Sequence, residues 1–308
     1  MRGYCMPGWN EILDEIEQCN RVDSLDAVRR KYLKRLEEIT GRNVIAYYSG
    51  WLQKTGLDST MINDDDKNGF MNAMYGLDRS KGLDIILHTP GGEIAATESI
   101  VSYLRNLFHD DIRAIIPMLS MSAGTMIACS CKEIIMGKQS SIGPIDPQYG
   151  GIPMHGILEE FENALKNAKD NPETIPIWQV IVSKYHPTFI GDCRKIIEWS
   201  GTMVKTWLET GMFKEYPNKK ELANLVVDKL NDHDSTKSHA KHIDADEAKG
   251  IGLKIVSLEE ELKDKGFQDC VLSIHHTYML TFSKSSTYKI IENHNGRAYC
   301  SKIQDTTD

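Results

Sequence analysis

The sequence predicts an α/β fold on a parallel-sheet core, with an N-terminal helical arm and a helical C-terminal half. Three observations predict it. Apolar runs at Leu83–His88, Ile112–Ile116 and Glu133–Met136 alternate with helical patterns, the β-α-β-α-β order of a parallel sheet with right-handed crossovers. The first two runs pass directly into the turns Thr89-Pro90-Gly91-Gly92 and Ser120-Met121-Ser122-Ala123-Gly124-Thr125. Both turns therefore fall at the carboxyl edge of the sheet, where ligands bind in open α/β folds.

The elements follow in order. Trp9–Ile39 has helical spacing (Ile12, Ile16, Leu25, Val28, Tyr32, Leu36), is charged and precedes the first strand, so residues 1–42 read as an added arm. Asn43–Tyr48 reads as a strand. Asn63–Leu77 reads as a helix whose opening Asp64-Asp65-Asp66 complements the helix dipole. Strand Leu83–His88, helix Ala95–Leu107, strand Ile112–Ile116, helix Ala123–Ser130 and strand Glu133–Met136 complete the core alternation. Beyond Gly150, helical spacing at Leu158–Ala168, Phe189–Leu208 and Lys219–Leu230 is punctuated by Pro172, Pro176, Pro187 and Pro217. Asp244-Ala245-Asp246-Glu247 opens a short capped helix closed by Gly250 and Gly252. His276–Phe282 and Tyr288–Glu292 alternate like strands, and Asn295-Gly296 signals a hairpin into Arg297–Ser301. The implied division is an arm (1–42), a core (43–260) and a C-terminal β-hairpin extension (261–308).

Composition narrows the function. A net charge of -8 over 308 residues argues against a nucleic-acid surface, and Arg29-Arg30-Lys31 alternates with acidic residues as a solvated helix face does. Seven scattered cysteines with no C-x-x-C pair read as reduced thiols, pointing to a cytoplasmic protein. No apolar h-region follows Met1-Arg2-Gly3-Tyr4. Ala114–Cys131 is long and apolar, but Pro117 and the Ser120–Gly124 turn divide it into a strand and a helix, so no integral membrane span is expected.

The chemistry lies in the two turns. Gly91-Gly92 is a tight strand-to-helix turn, and without Cβ atoms it also lets a substrate carbonyl approach backbone N–H groups. It is not a phosphate loop, since neither glycine fingerprint of nucleotide binding is present. Ser122 fits a helix N-cap, and the same position stabilises negative charge developing on a nucleophile. Ser120 competes with it, but Ser122 is followed by Ala123-Gly124, which leave room for substrate. A nucleophile beside free backbone donors is what acyl transfer requires. The cluster His233-Asp234, His239, His242 and Asp244 invites a metal reading, yet it lacks the helical His-Glu-x-x-His spacing of metallopeptidases, so no metal is expected.

The runs Leu87–Gly92, Met121–Thr125, Gly143-Pro144-Ile145-Asp146-Pro147-Gln148 and Lys289–His294 resemble the serine dehydrogenase proteinase family. That family lies within the Clp-protease/crotonase-like superfamily, alongside signal peptide peptidase A and the Clp proteolytic subunits. The resemblance covers residues 63–294. It implies a serine peptidase acting on peptide or protein substrates, with Ser122 as nucleophile. Gly91 or Gly92 together with the Ala123 N–H would form the oxyanion hole. It further implies a homo-oligomer, and such hydrolysis needs no cofactor. The chain departs from the Clp pattern where that pattern has its catalytic histidine, since Asp146 stands there. His239 and His242 precede Asp244, near where the pattern has its aspartate. An exchange of the two would make His239 the base and Asp146 its orienter, the same roles in another order. Alternative bases are Lys166 (or Lys169), as in the Ser–Lys signal peptide peptidases, His155 and His242. A crotonase-type acyl-CoA enzyme and an inactive scaffold of the same fold are the competing readings, and a covalent serine probe separates them from a peptidase.

Overall fold

The computed structural model describes residues 8–231 and 239–304. Two helices come first, α1 (Trp9–Gln18) and α2 (Ser24–Thr40). The core alternation runs β1 (Asn43–Ser49), α3 (Asp66–Ala73), β2 (Leu83–His88), α4 (Ile94–Phe108), β3 (Ile112–Ile116), β4 (Leu119–Ser120), α5 (Ala123–Cys129) and β5 (Glu133–Met136). Strands β6 (Ser141–Ile142), β7 (Gln148–Tyr149) and β8 (Ile152–Pro153) lead to α6 (Met154–Asp170), α7 (Ile175–Val182), α8 (Phe189–Thr210) and α9 (Lys219–Asn231). After α10 (Ala245–Ile251) and β9 (Ile255–Ser257), α11 (Phe267–Lys284) precedes the hairpin β10 (Thr287–Asn293) and β11 (Ala298–Lys302).

The main sheet has the order β11-β10-β1-β2-β3-β5-β9. Strands β1, β2, β3, β5 and β9 are parallel, and the β10–β11 hairpin adds antiparallel to β1. β1, β2 and β3 are buried at every residue, because helices cover both faces. Alternation in β1 shows the two layers. Ile45 and Tyr47 pack with residues of α3, α4, α5, α8 and α9, while Val44, Ala46 and Tyr48 pack with those of α2 and α11.

Two expectations change here. Residues 1–42 were read as an arm, but Leu33, Leu36 and Ile39 of α2 belong to the layer that covers the second face of the sheet. Arg29 of α2 is fully buried against Glu292 of β10, which also accepts from Tyr278 at 2.8 Å. His276–Phe282 is helical, not a strand. Its β-branched and aromatic residues favour a strand locally, but Phe267, Val271, Ile274, Tyr278 and Phe282 recur at helical spacing and all face the sheet.

Asp66 stands in the first turn of α3, as expected of a residue that complements the helix dipole, and it is buried there. It accepts from Lys289 Nζ at 2.8 Å and Tyr47 Oη at 2.8 Å. Burial raises its pKa, and the Lys289 charge works against that rise. The polar residues of Lys289–His294 are thus structural. Lys289 holds Asp66, Glu292 holds Arg29, and Asn293 Nδ2 donates to the Ala73 carbonyl at 2.6 Å. Asp244 caps α10 as expected, accepting from the N–H groups of Asp246 and Glu247. Among the described residues, no helix is long and apolar enough to cross a membrane.

Candidate active site

Backbone pairing joins the two turns. Thr89 N–H donates to the Leu119 carbonyl at 3.1 Å, and Met121 N–H donates to the Thr89 carbonyl at 3.0 Å. β4, which pairs with β6 outside the main sheet, is thus bridged to Thr89 at the end of β2, and Ser122 comes to lie beside Gly91. The fit is close. A Cβ on Gly91 would lie 2.7 Å from Ser122 Cβ and 3.0 Å from Ala123 N, and one on Gly92 would lie 2.3 Å from the Ile62 backbone. With φ of 98° and 157°, both positions also favour glycine. The missing side chains thus make room for the neighbouring backbone, rather than for a substrate carbonyl as the sequence suggested.

The N–H groups of the two glycines differ. Gly91 N–H donates to Thr89 Oγ1 at 3.2 Å. Gly92 N–H and Ala123 N–H have no hydrogen-bond acceptor among the described residues. Two unengaged donors thus flank the serine turn.

Ser122 has φ 51° and ψ −117°, a positive-φ conformation at a non-glycine residue. Such backbone costs on the order of 1–3 kcal/mol and persists only where the surroundings enforce it. Here the Thr89–Met121 pairing on one side and α5 on the other enforce it. Ser122 is half-buried, whereas Ser120 is fully buried, with its hydroxyl beside the Gly124 backbone. Of the two serines, Ser122 is the accessible one.

The Asp146 segment is attached to the same scaffold. Thr125 Oγ1 donates to the Ser120 carbonyl at 2.9 Å and accepts from Gly143 N–H at 3.0 Å. Ile142 and Ile243 exchange backbone hydrogen bonds of 3.0 and 2.9 Å, bringing the chain around Asp146 to the chain around His239. Asp146 is 1% exposed, and its Oδ1 lies 2.7 Å from His239 Nδ1. A carboxylate only accepts, so Nδ1 carries the proton in this pair and Nε2 is left as the basic nitrogen.

His239 lines a groove of about 670 Å³, along with Met121, which precedes Ser122, and Pro90, which precedes Gly91. Trp51, Leu52 and Leu119 form its apolar wall, and His242 is at its exposed rim. The other candidate bases lie elsewhere. Lys166 is exposed on α6 and lacks the burial that a neutral lysine needs. Lys169 is exposed too. His155 lines a separate cavity between α6, α8 and α9. His233 and Asp234 lie outside the described residues.

Sequence reasoning missed Trp51 and His88. The Trp51 ring lies tilted against His88 at 4.4 Å, and His88 packs edge-on to His275 at 5.1 Å. Burial holds His88 well below the usual imidazole range; His275 adds to this, and the Leu119 carbonyl partly offsets it. Burial, with His276 nearby, pushes His275 down to about 3. Both rings are neutral packing groups. Only the position of His88, one residue before the first turn, could have drawn attention to them.

Residues 16–186 match the family described as ClpP-like SDH-type serine proteinase. Two uncharacterized proteins of Methanocaldococcus jannaschii are similar in part. One is 33% identical over 48% of this chain and 50% of its own length, the other 32% identical over 37% of this chain and 40% of its own length. The matched span is thus half or less of either relative. The mostly parallel sheet agrees with the Clp/crotonase-like fold of the matched family. With more than half of its residues matched, and both turns inside the match, the chain belongs to the ClpP-like SDH-type serine proteinase family.

Proposed function

We propose that the chain hydrolyses peptide bonds through a Ser122 acyl-enzyme. His239 Nε2 takes the Ser122 hydroxyl proton as Oγ attacks the scissile carbonyl, and Asp146 orients the imidazole and stabilises its charge. The N–H groups of Gly92 and Ala123 bind the oxyanion, while Gly91 serves the approach of the two turns. The imidazolium then protonates the leaving amine. Water enters, gives a proton to His239 and releases the acyl group, restoring Ser122.

The observation that carries this reading is the strained, accessible Ser122 beside two unengaged N–H donors. A crotonase-type enzyme would have no use for such a serine. Assembly with further copies of the chain completes the proposal. It is supported by α7, whose eight residues carry no charge and include none that is buried. Light scattering tests it: a mass well above 34.8 kDa is expected, and a monomeric mass would contradict it.

Ser122→Ala tests the nucleophile. It removes one oxygen from a half-buried site, so folding should be unchanged while peptide hydrolysis is lost. Ser120→Ala should retain activity. The reverse pattern would assign the chemistry to Ser120.

A further inference from the structure

We infer, on the basis of the serine-peptidase reading, that the groove selects peptides with a large uncharged side chain, aromatic above all, next to the scissile bond. Trp51 and Met121 determine that choice. The subsite is adjacent to the chemistry in sequence and in space, since Pro90 and Met121 directly precede Gly91 and Ser122 and both line the groove. Among the described residues, no lysine, arginine, aspartate or glutamate lines it. A charged substrate side chain placed against the Trp51, Leu119 and Met121 wall would lose water and meet no carboxylate, ammonium or guanidinium group on the described lining. The polar side chains of that lining are Gln148 and the imidazoles of His239 and His242. The loss of water counts against a charged side chain in the transition state as well as on binding.

Two walls are fixed before substrate arrives. Trp51 rests on His88, which is fully buried between Tyr48 at 5.4 Å and His275 at 5.1 Å. The indole thus presents a supported face to the groove, suited to an offset or edge-on aromatic partner. Met121 is supported from behind. Its Cε would be 2.7 Å from a Cβ on Gly143, so the glycine there lets the thioether lie against the Gly143 turn. A thioether beside an aromatic face suits a further aromatic ring, which sulfur contacts favourably at its edge. The volume, about 670 Å³, falls within the range of small-ligand pockets and accepts a side chain with flanking backbone.

The experiment compares kcat/KM for peptides differing only in the residue on the acyl side of the scissile bond: Phe, Leu, Ala, Lys or Glu. The full chain is used as wild type, Trp51→Ala, Trp51→Leu and Met121→Glu. Wild type should favour Phe over Lys and Glu by on the order of 10²-fold. Either Trp51 variant should narrow the Phe-over-Ala preference by about tenfold, and the second serves if the first does not fold. Met121→Glu should raise the Lys-over-Glu ratio at least tenfold. Lys or Glu peptides cleaved as fast as Phe by wild type would overturn the inference, as would an unchanged profile in the folded variants. A fluorophosphonate applied to wild type separates the two levels. Labelled Ser122 with a flat profile defeats only the specificity. An unlabelled folded protein defeats the peptidase reading and the specificity together.

Discussion

The two edges of the main sheet are built from the same strands, yet they differ in kind. At the amino edge, β2 and β3 begin with charges that are fully engaged. Asp84 accepts from Arg113 Nε and Nη2, both at 2.8 Å, and from Arg42 Nε at 2.7 Å, while Arg113 reaches Glu261 at 2.9 Å. Burial opposes the Arg113 charge, but the hydrogen bonds and charges of Asp84 and Glu261 together more than offset it and raise the pKa. At the carboxyl edge the same strands end in a strained serine, crowded glycines and two N–H groups without acceptors among the described residues. One edge satisfies its polar groups and holds the strands in place. The other leaves donors open where a substrate would complete them. Substitutions should separate along this line, into those that affect stability and those that affect turnover.

The largest effect is expected at the carboxyl edge. Asp146→Asn keeps the shape but offers His239 an amide in place of a carboxylate, favouring the wrong tautomer. Turnover should fall on the order of 10³–10⁴-fold with little change in the urea midpoint. If the midpoint falls and turnover per folded molecule does not, Asp146 is structural. At the amino edge, Asp84→Ala leaves the buried Arg113 guanidinium without its main partner. Removing one member of a buried pair costs about 3–5 kcal/mol, which urea unfolding would register, while turnover per folded molecule should be preserved. A loss of turnover without a loss of stability would erase the distinction between the edges.

A smaller effect comes from pH. His88 and His275 have folded-state pKa values below that of a free imidazole, so the unfolded chain binds protons that the folded chain refuses. Their contribution is complete above about pH 6.5 and declines as the pH falls below it, for His275 down to about 3. Stability measured between pH 7 and 4 should show this slope, and His275→Phe should flatten it. An unchanged slope in that variant would mean that other groups govern acid unfolding.

The carboxyl edge was the more legible of the two in the sequence. Strands β2, β3 and β5 are continuous apolar runs ending at glycine- or serine-rich turns, and their bounds follow from pattern alone. Ser122 was preferred to Ser120 for the small residues after it, and it is the more accessible of the two. His239 lies 93 residues from Asp146, so no local pattern joins them, and the family resemblance pointed to the pair. The preference proposed for Gly92 over Gly91 rests on one hydrogen bond, from Gly91 N–H to Thr89 Oγ1, which spacing does not encode. Trp51 and His88 escaped notice because a ring-on-ring contact between distant residues has no periodicity. α2 was mistaken for an arm because its charged outer face masks the buried stripe Leu33, Leu36 and Ile39. Long-range packing decided each of these cases.

Fluorophosphonate labelling of wild type and His239→Gln, with peptide mapping of the modified residue, tests the central claim most directly. The expected result is one adduct, on Ser122, forming quickly in wild type and at least 10²-fold more slowly in His239→Gln. An adduct on Ser120, equal rates in the two proteins, or a folded wild type that does not label would contradict it.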